Sequence, residues 1–156
     1  MEQRLVPQEY FMVSGVGQSD TSVLNAFDRA LVAAGISQCN LVPVSSILPK
    51  SAKEVKPRRI EPGQVTFVVL GKADGKRGDI VSTGVAIGYT DGGENDLIVE
   101  FDQNGGTTDV RRRLSILLDE MANAREVTVK RTKEEVCELK ITRTYGAAVA
   151  AVVLLL

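Results

Sequence analysis

Ala147-Ala148-Val149-Ala150-Ala151-Val152-Val153-Leu154-Leu155-Leu156 is a run of ten apolar residues without one polar side chain. A helix needs about 20 such residues to cross a bilayer, so the run is too short for a span. A strand covered on both faces is apolar at every position rather than at alternate ones. The run therefore predicts a fully buried strand, and the fold can be read outward from it. Upstream, Arg125–Arg131 and Val136–Thr142 read as two more strands. Before them, Thr108 to Asn123 carries Val110, Leu114, Leu117, Leu118 and Met121 on one face of a helix. Val65–Leu70, Asp79–Tyr89 and Leu97–Phe101 read as strands, separated by turns at Asp74-Gly75 and Asp91-Gly92-Gly93.

Towards the N-terminus, Tyr10–Val13 reads as a short strand and Gly15-Val16-Gly17-Gln18 as a turn. Ser19, Asp20 and Thr21 are candidate N-caps for a helix over Thr21–Ala34. Its expected apolar face is Val23, Leu24, Phe27, Leu31 and Ala34, with Gly35 as the stop. Residues 39 to 48 read as extended, because Pro43 and Pro49 disfavour helix in the residues before them. Residues 50 to 63, with Pro57, Pro62 and Gly63, read as a loop. Many strands with two amphipathic helices predict one α+β domain over 1–156. Its form is a sandwich of mainly antiparallel sheets with helices packed on the outside, αββα in type.

Composition narrows the chemistry. A length of 156 residues with 44% apolar side chains suits one domain with a real core. A formal net charge of -1 gives no long-range attraction to nucleic acid or to an anionic membrane, so neither is an expected partner. Cys39 and Cys137 form no metal-type spacing, and with no disulfide framework a reducing cytoplasm is expected. Met1-Glu2-Gln3-Arg4 lacks the apolar run of a signal peptide. The chain contains no histidine, which removes the commonest general base and the commonest metal ligand.

Familiar motifs fail. Gly15-Val16-Gly17 begins a dinucleotide fingerprint, but Asp20 stands where the third glycine belongs and would repel a pyrophosphate. Gly71-Lys72 and Gly75-Lys76 lack the upstream glycine of a phosphate loop. Lys50 lies one place too late to serve Ser46 in a Ser-x-x-Lys pair. Arg111-Arg112-Arg113 has Asp109 one turn before Arg113 and reads as a solvated, internally paired face. Asp91, Glu94 and Asp96 read as a polar hairpin tip and not as a calcium loop.

Ser45-Ser46 survives this filter. The pair sits between apolar Val44 and Ile47, with Asn40 upstream and Asp28 on the preceding helix between Leu24 and Leu31. Asn25-Ala26-Phe27-Asp28-Arg29-Ala30-Leu31, followed by Asn40-Leu41-Val42-Pro43-Val44-Ser45-Ser46-Ile47-Leu48-Pro49, resembles the pyruvoyl-dependent arginine decarboxylases. Leu97-Ile98-Val99-Glu100-Phe101 is similar to another stretch of that family, and the likeness spans essentially the whole chain. Lys50 departs from the pattern, which carries a second proline there.

The resemblance implies a self-processing enzyme. The Ser46 hydroxyl attacks the Ser45 carbonyl, the amide becomes an ester, β-elimination follows, and the product hydrolyses. The chain then divides into 1–45 and 46–156, and Ser46 becomes a covalent pyruvoyl group. That carbonyl takes the part of pyridoxal phosphate: it forms a Schiff base with L-arginine and accepts electrons as carbon dioxide leaves, giving agmatine. Strained packing at the scissile amide is expected to assist the cut. Asn40 would position the scissile carbonyl, the substrate or both. Glu100 would reprotonate the carbanion, with a pKa raised by burial. Asp28 would bind the guanidinium, and Leu31 would line the substrate's aliphatic stem. Ser45 and Ile47, beside the cofactor, would contact the substrate too. The resemblance also implies a homotrimer with active sites between subunits, able to pair further into a dimer of trimers. No metal is expected. Two alternatives remain on the same scaffold: an uncut, non-catalytic trimer that binds small molecules, and a pyruvoyl decarboxylase of another amino acid.

Overall fold

The apolar run lies at the centre of the molecule. The computed structural model describes residues 4–156; Met1, Glu2 and Gln3, part of the stretch read for a signal peptide, lie outside the described residues. In chain order the elements are β1 (Glu9–Ser19), α1 (Val23–Ala34), β2 (Asn40–Pro43), β3 (Ile47–Pro49), β4 (Lys53–Glu54) and β5 (Val65–Lys76). After these come β6 (Ile80–Asp91), β7 (Asn95–Asn104), α2 (Thr107–Ala124), β8 (Thr128–Lys140) and β9 (Tyr145–Leu155). One sheet has the order β2-β5-β9-β1-β4, the other β3-β7-β6-β8.

Strand β9 sits mid-sheet, antiparallel to β5 and β1. Its alternate side chains explain its composition. Ala147, Val149, Ala151, Val153 and Leu155 face α1, while Ala150, Val152 and Leu154 face the second sheet. With α1 on one side and a sheet on the other, every position from Ala147 to Leu155 is buried, so none is polar. The inter-sheet core adds Met12, Val69, Val85, Ile87 and Ile98, with Tyr10 and Tyr89 sharing a buried 2.7 Å hydrogen bond. Helix α2 closes the outer face of the second sheet with Val110, Leu114, Leu118 and Ala122. The expected α+β layering of two antiparallel-rich sheets with outer helices is what the chain adopts.

Several local expectations change. Gly15-Val16-Gly17-Gln18 is not a turn but lies within β1, paired throughout with β9. Its glycines bring the helix close: a Cβ on Gly15 would lie 2.4 Å from the Ala30 carbonyl oxygen, and one on Gly17 2.4 Å from the Ala30 nitrogen. That approach selects the alanine face of α1, so Ala26, Ala30 and Ala34 are buried. Leu24, placed on the core face by spacing, is instead 70% exposed, and Val23 is exposed as well. The N-cap is Ser22, whose hydroxyl accepts from the Asn25 amide, rather than Ser19, Asp20 or Thr21. Asp20 takes another task, accepting from the Thr144 amide and hydroxyl, which holds its carboxyl below the usual range.

Gly35 ends α1 in the left-handed region as expected. Asp74-Gly75 lies inside β5, and the turn falls later, at Gly78 with φ 95. The two strands expected over 125–142 are one, because β6 offers a continuous partner from Lys140 to Thr128 with one irregularity at Tyr89/Thr90. Asp109 pairs with Arg112 rather than Arg113; Arg111 pairs with Glu134, and Arg113 lies over the Phe101 ring. Asp96 does not belong to an exposed hairpin tip: it is buried. No helix among the described residues is long and apolar enough to cross a membrane, and Cys39 and Cys137 are unpaired.

Candidate active site

Ser45 and Ser46 occupy the step from one sheet to the other. Strand β2 runs parallel to β5 at the edge of the first sheet, and β3 runs antiparallel to β7 at the edge of the second. The Val44 amide donates to the Val68 carbonyl at 2.8 Å, which ends the hold of the first sheet. The Ser46 carbonyl accepts from the Ile98 amide at 2.8 Å, which begins the hold of the second. The Ser45–Ser46 amide thus bridges two rigid edges, pinned one residue before and at its C-terminal residue.

The constraint is anchorage in two sheets and not an unusual backbone class. Among the described residues no peptide bond is cis, and neither serine has positive φ. Nor is the pair enclosed. Val44 is 39% and Ile47 44% exposed; Ser45 is exposed and Ser46 half-buried. Both apolar neighbours help to line an open cavity of about 300 Å³ with Leu5, Pro7, Phe67 and Leu154.

Glu100 lies two residues beyond Ile98 on β7, and alternation puts both on the face turned towards β5. Opposite is Gly71, where an added Cβ would stand 3.6 Å from the Glu100 Cβ and 2.4 Å from the Thr83 Oγ1. The missing side chain lets the Thr83 hydroxyl and the stem of Glu100 pack directly against the β5 backbone. Glu100 is exposed rather than buried as expected, yet partial desolvation still raises its pKa above the usual carboxylate range, and the charge of Asp102 adds to it. Asp102 is raised by desolvation and by Asp74.

The edge therefore brings together Ser45, Ser46, Ile47 and Glu100. The other residues singled out in the sequence lie elsewhere within one chain. Asn40 starts β2, five residues before Ser45, which is about 16 Å of extended chain. Its side-chain amide donates to the Gly63 carbonyl at 2.9 Å. Asp28 is exposed on α1, and Leu31 packs partly into the core beneath it. Helix α1 and Glu100 are on opposite faces of β5, since Lys72 reaches the Phe27 ring on one face while Gly71 meets Glu100 on the other.

Sequence reasoning missed Gly71, Thr83 and Asp102. Asp102 had a signal, because it shares a strand face with Glu100 at i+2. The contacts of Gly71 and Thr83 arise only from stacking two sheets, and nothing local announces them.

Comparison with known proteins identifies the family. The family described as pyruvoyl-dependent arginine decarboxylase (PvlArgDC) matches residues 9–156. A pyruvoyl-dependent arginine decarboxylase of Methanopyrus kandleri is 39% identical over 95% of this chain and 97% of its own length. One of Methanothermobacter thermautotrophicus is 34% identical over 92% of this chain and 94% of its own. A third, of Thermococcus sibiricus, is 27% identical over 96% of each.

Proposed function

The chain belongs to the pyruvoyl-dependent arginine decarboxylase family, and from that premise we propose how its own residues carry the reaction. It is a carboxy-lyase that converts L-arginine to agmatine and carbon dioxide. The pyruvoyl group, bound covalently at residue 46, supplies an electron sink for the departing carboxylate. The residues present fit such a group. The residue-46 carbonyl is anchored to the Ile98 amide, an open cavity adjoins it, and a partly desolvated acid stands two residues along the same strand.

The observation that carries the reading is the Ser45–Ser46 amide suspended between two sheet edges. Movement of the scissile carbonyl is restricted on both sides, so the Ser46 hydroxyl meets it repeatedly in one geometry. The cut leaves 1–45 and 46–156. Glu100 holds a proton further up the pH scale than an ordinary carboxylate and returns it to the substrate α-carbon after carbon dioxide leaves. Asp28 pairs with the guanidinium, Leu31 and Ile47 cover the aliphatic stem, and Ser45 and Asn40 orient the head of the substrate.

Within one chain α1 lies across β5 from Glu100 and Asn40 stands about 16 Å of extended chain from Ser45, so a complete site needs a neighbouring subunit to present Asp28, Leu31 and Asn40. Exposed Leu5, Val42, Val44, Ile47 and Val65 supply apolar surface for that contact. A homotrimer, with pairing of trimers, satisfies the requirement. Two unpaired cysteines suit a cytoplasmic enzyme.

Denaturing electrophoresis tests the reading. Purified protein is expected to give two fragments divided at Ser45/Ser46, the larger with a blocked N-terminus. Ser46→Ala is expected to give one band of 16.8 kDa and no agmatine. Active, uncut protein would refute the assignment.

A further inference from the structure

Strand β3 is a weak support for the group at residue 46. It pairs with β7 at three positions only, Ile47 with Leu97, Leu48 with Asp96 and Pro49 with Asn95. Pro49 has no N–H to offer. Before the cut, residue 46 is held from both sides: by its own carbonyl on Ile98, and through Ser45 by Val44 on Val68. After the cut the second hold is lost, and residue 46 becomes a chain end.

Lys50, the residue just past β3, compensates. Its Nζ donates to the Thr90 carbonyl at 2.7 Å, the Thr90 Oγ1 at 3.1 Å and the Asp96 Oδ1 at 3.0 Å. Asp96 is buried, and its Oδ1 also accepts the Thr90 amide at 2.9 Å. Buried carboxylates need a charged partner, and among the described residues Lys50 is the one that Asp96 meets in an ion pair. Asp96 stands opposite Leu48 on the strand that carries Ile98 and Glu100. The ammonium therefore locks β3 to the strand that bears the acid.

We propose that Lys50 is a positioning residue for the cofactor: its clasp on Asp96 and Thr90 fixes the register of β3 against β7, and so the distance from residue 46 to Glu100, once the chain is cut. The inference rests on the proposed cut between Ser45 and Ser46. It makes a particular separation between steps. Cleavage takes place while residue 46 is doubly held and depends little on the clasp. Decarboxylation takes place afterwards and depends on it.

The test uses full-length Lys50→Met and Asp96→Asn proteins, with cleavage monitored by denaturing electrophoresis and turnover by carbon dioxide release. Both variants are expected to cut nearly as completely as wild type and to keep KM, while kcat falls about tenfold or more, since misplacement by about 1 Å costs that much. The double variant is expected to lose no more than either single one, because the two side chains act as one clasp. Wild-type kcat in Lys50→Met, or single losses that multiply in the double variant, would overturn the inference. Should Lys50→Met fail to fold, the isosteric Asp96→Asn carries the test, and wild-type kcat there would overturn it. Wild-type protein that stays in one piece would remove the proposed function and this inference together, an outcome distinct from the other results.

Discussion

Glu100 has the most specific physical demand made on it of any side chain. As the proposed acid it must keep its proton above the usual carboxylate range, and partial desolvation and the charge of Asp102 both push it that way. The direction of that shift sets the sign of the pH effect. A carboxyl whose pKa is higher folded than unfolded weighs against the fold as pH rises from the ordinary carboxylate value to the raised one. Glu100→Gln removes that burden, so its melting temperature at pH 7 should equal or exceed that of wild type, as calorimetry would show. Turnover should fall by about 10²–10⁴-fold, the usual contribution of a positioned acid. In wild type, kcat should decline as pH rises through the raised value, and a profile of kcat against pH would show it. Cys137 is a contrasting case: burial pushes its thiol up to about 11, so it should resist alkylation in the folded protein.

Among the elements, the contact of β1 with α1 is unforgiving, because backbone there meets backbone. Gly17→Ala would drive a methyl group against the backbone of Ala30, at 2.4 Å, where no flexible side chain can give way. Overpacking of this kind costs about 1–3 kcal/mol or more. At about 2–4 °C per kcal/mol for a chain of this size, thermal unfolding should register it clearly. The same contact explains what could and could not be read from the sequence. Periodicity located both helices and the buried character of β9, because those depend on which side chains repeat along a segment. It misplaced part of the core face of α1: Phe27, Leu31 and Ala34 pack inward as expected, but Val23 and Leu24 give way to Ala26 and Ala30, because two glycines on another element bring those alanines closest. Gly15 and Gly17 read as a turn for the same reason: glycine signals either conformational freedom or close approach, and only the partner distinguishes them. The serine pair and Glu100 were legible as residues. That the structure sets them on one shared edge, and leaves Asn40, Asp28 and Leu31 away from it, depends on long-range pairing that no local pattern encodes.

At the scale of the whole molecule, exposed apolar side chains along β2, the segment after it and the start of β5 predict assembly. Val65 is 58% exposed and begins β5 next to β2. Val65→Asp is expected to leave secondary structure unchanged but to yield smaller particles by light scattering, with decarboxylation reduced in step with the loss of assembly. The proposed cut has a separate outcome. The fragment 1–45 would keep β1, which lies between β9 and β4, both from the larger fragment, and would keep α1 over β9. The two pieces should co-elute under native conditions and separate only in denaturant. Recovery of the divided protein needs one more encounter, between its two pieces, than recovery of the intact precursor does. Its renaturation yield should therefore fall more steeply on dilution than that of the uncut Ser46→Ala protein.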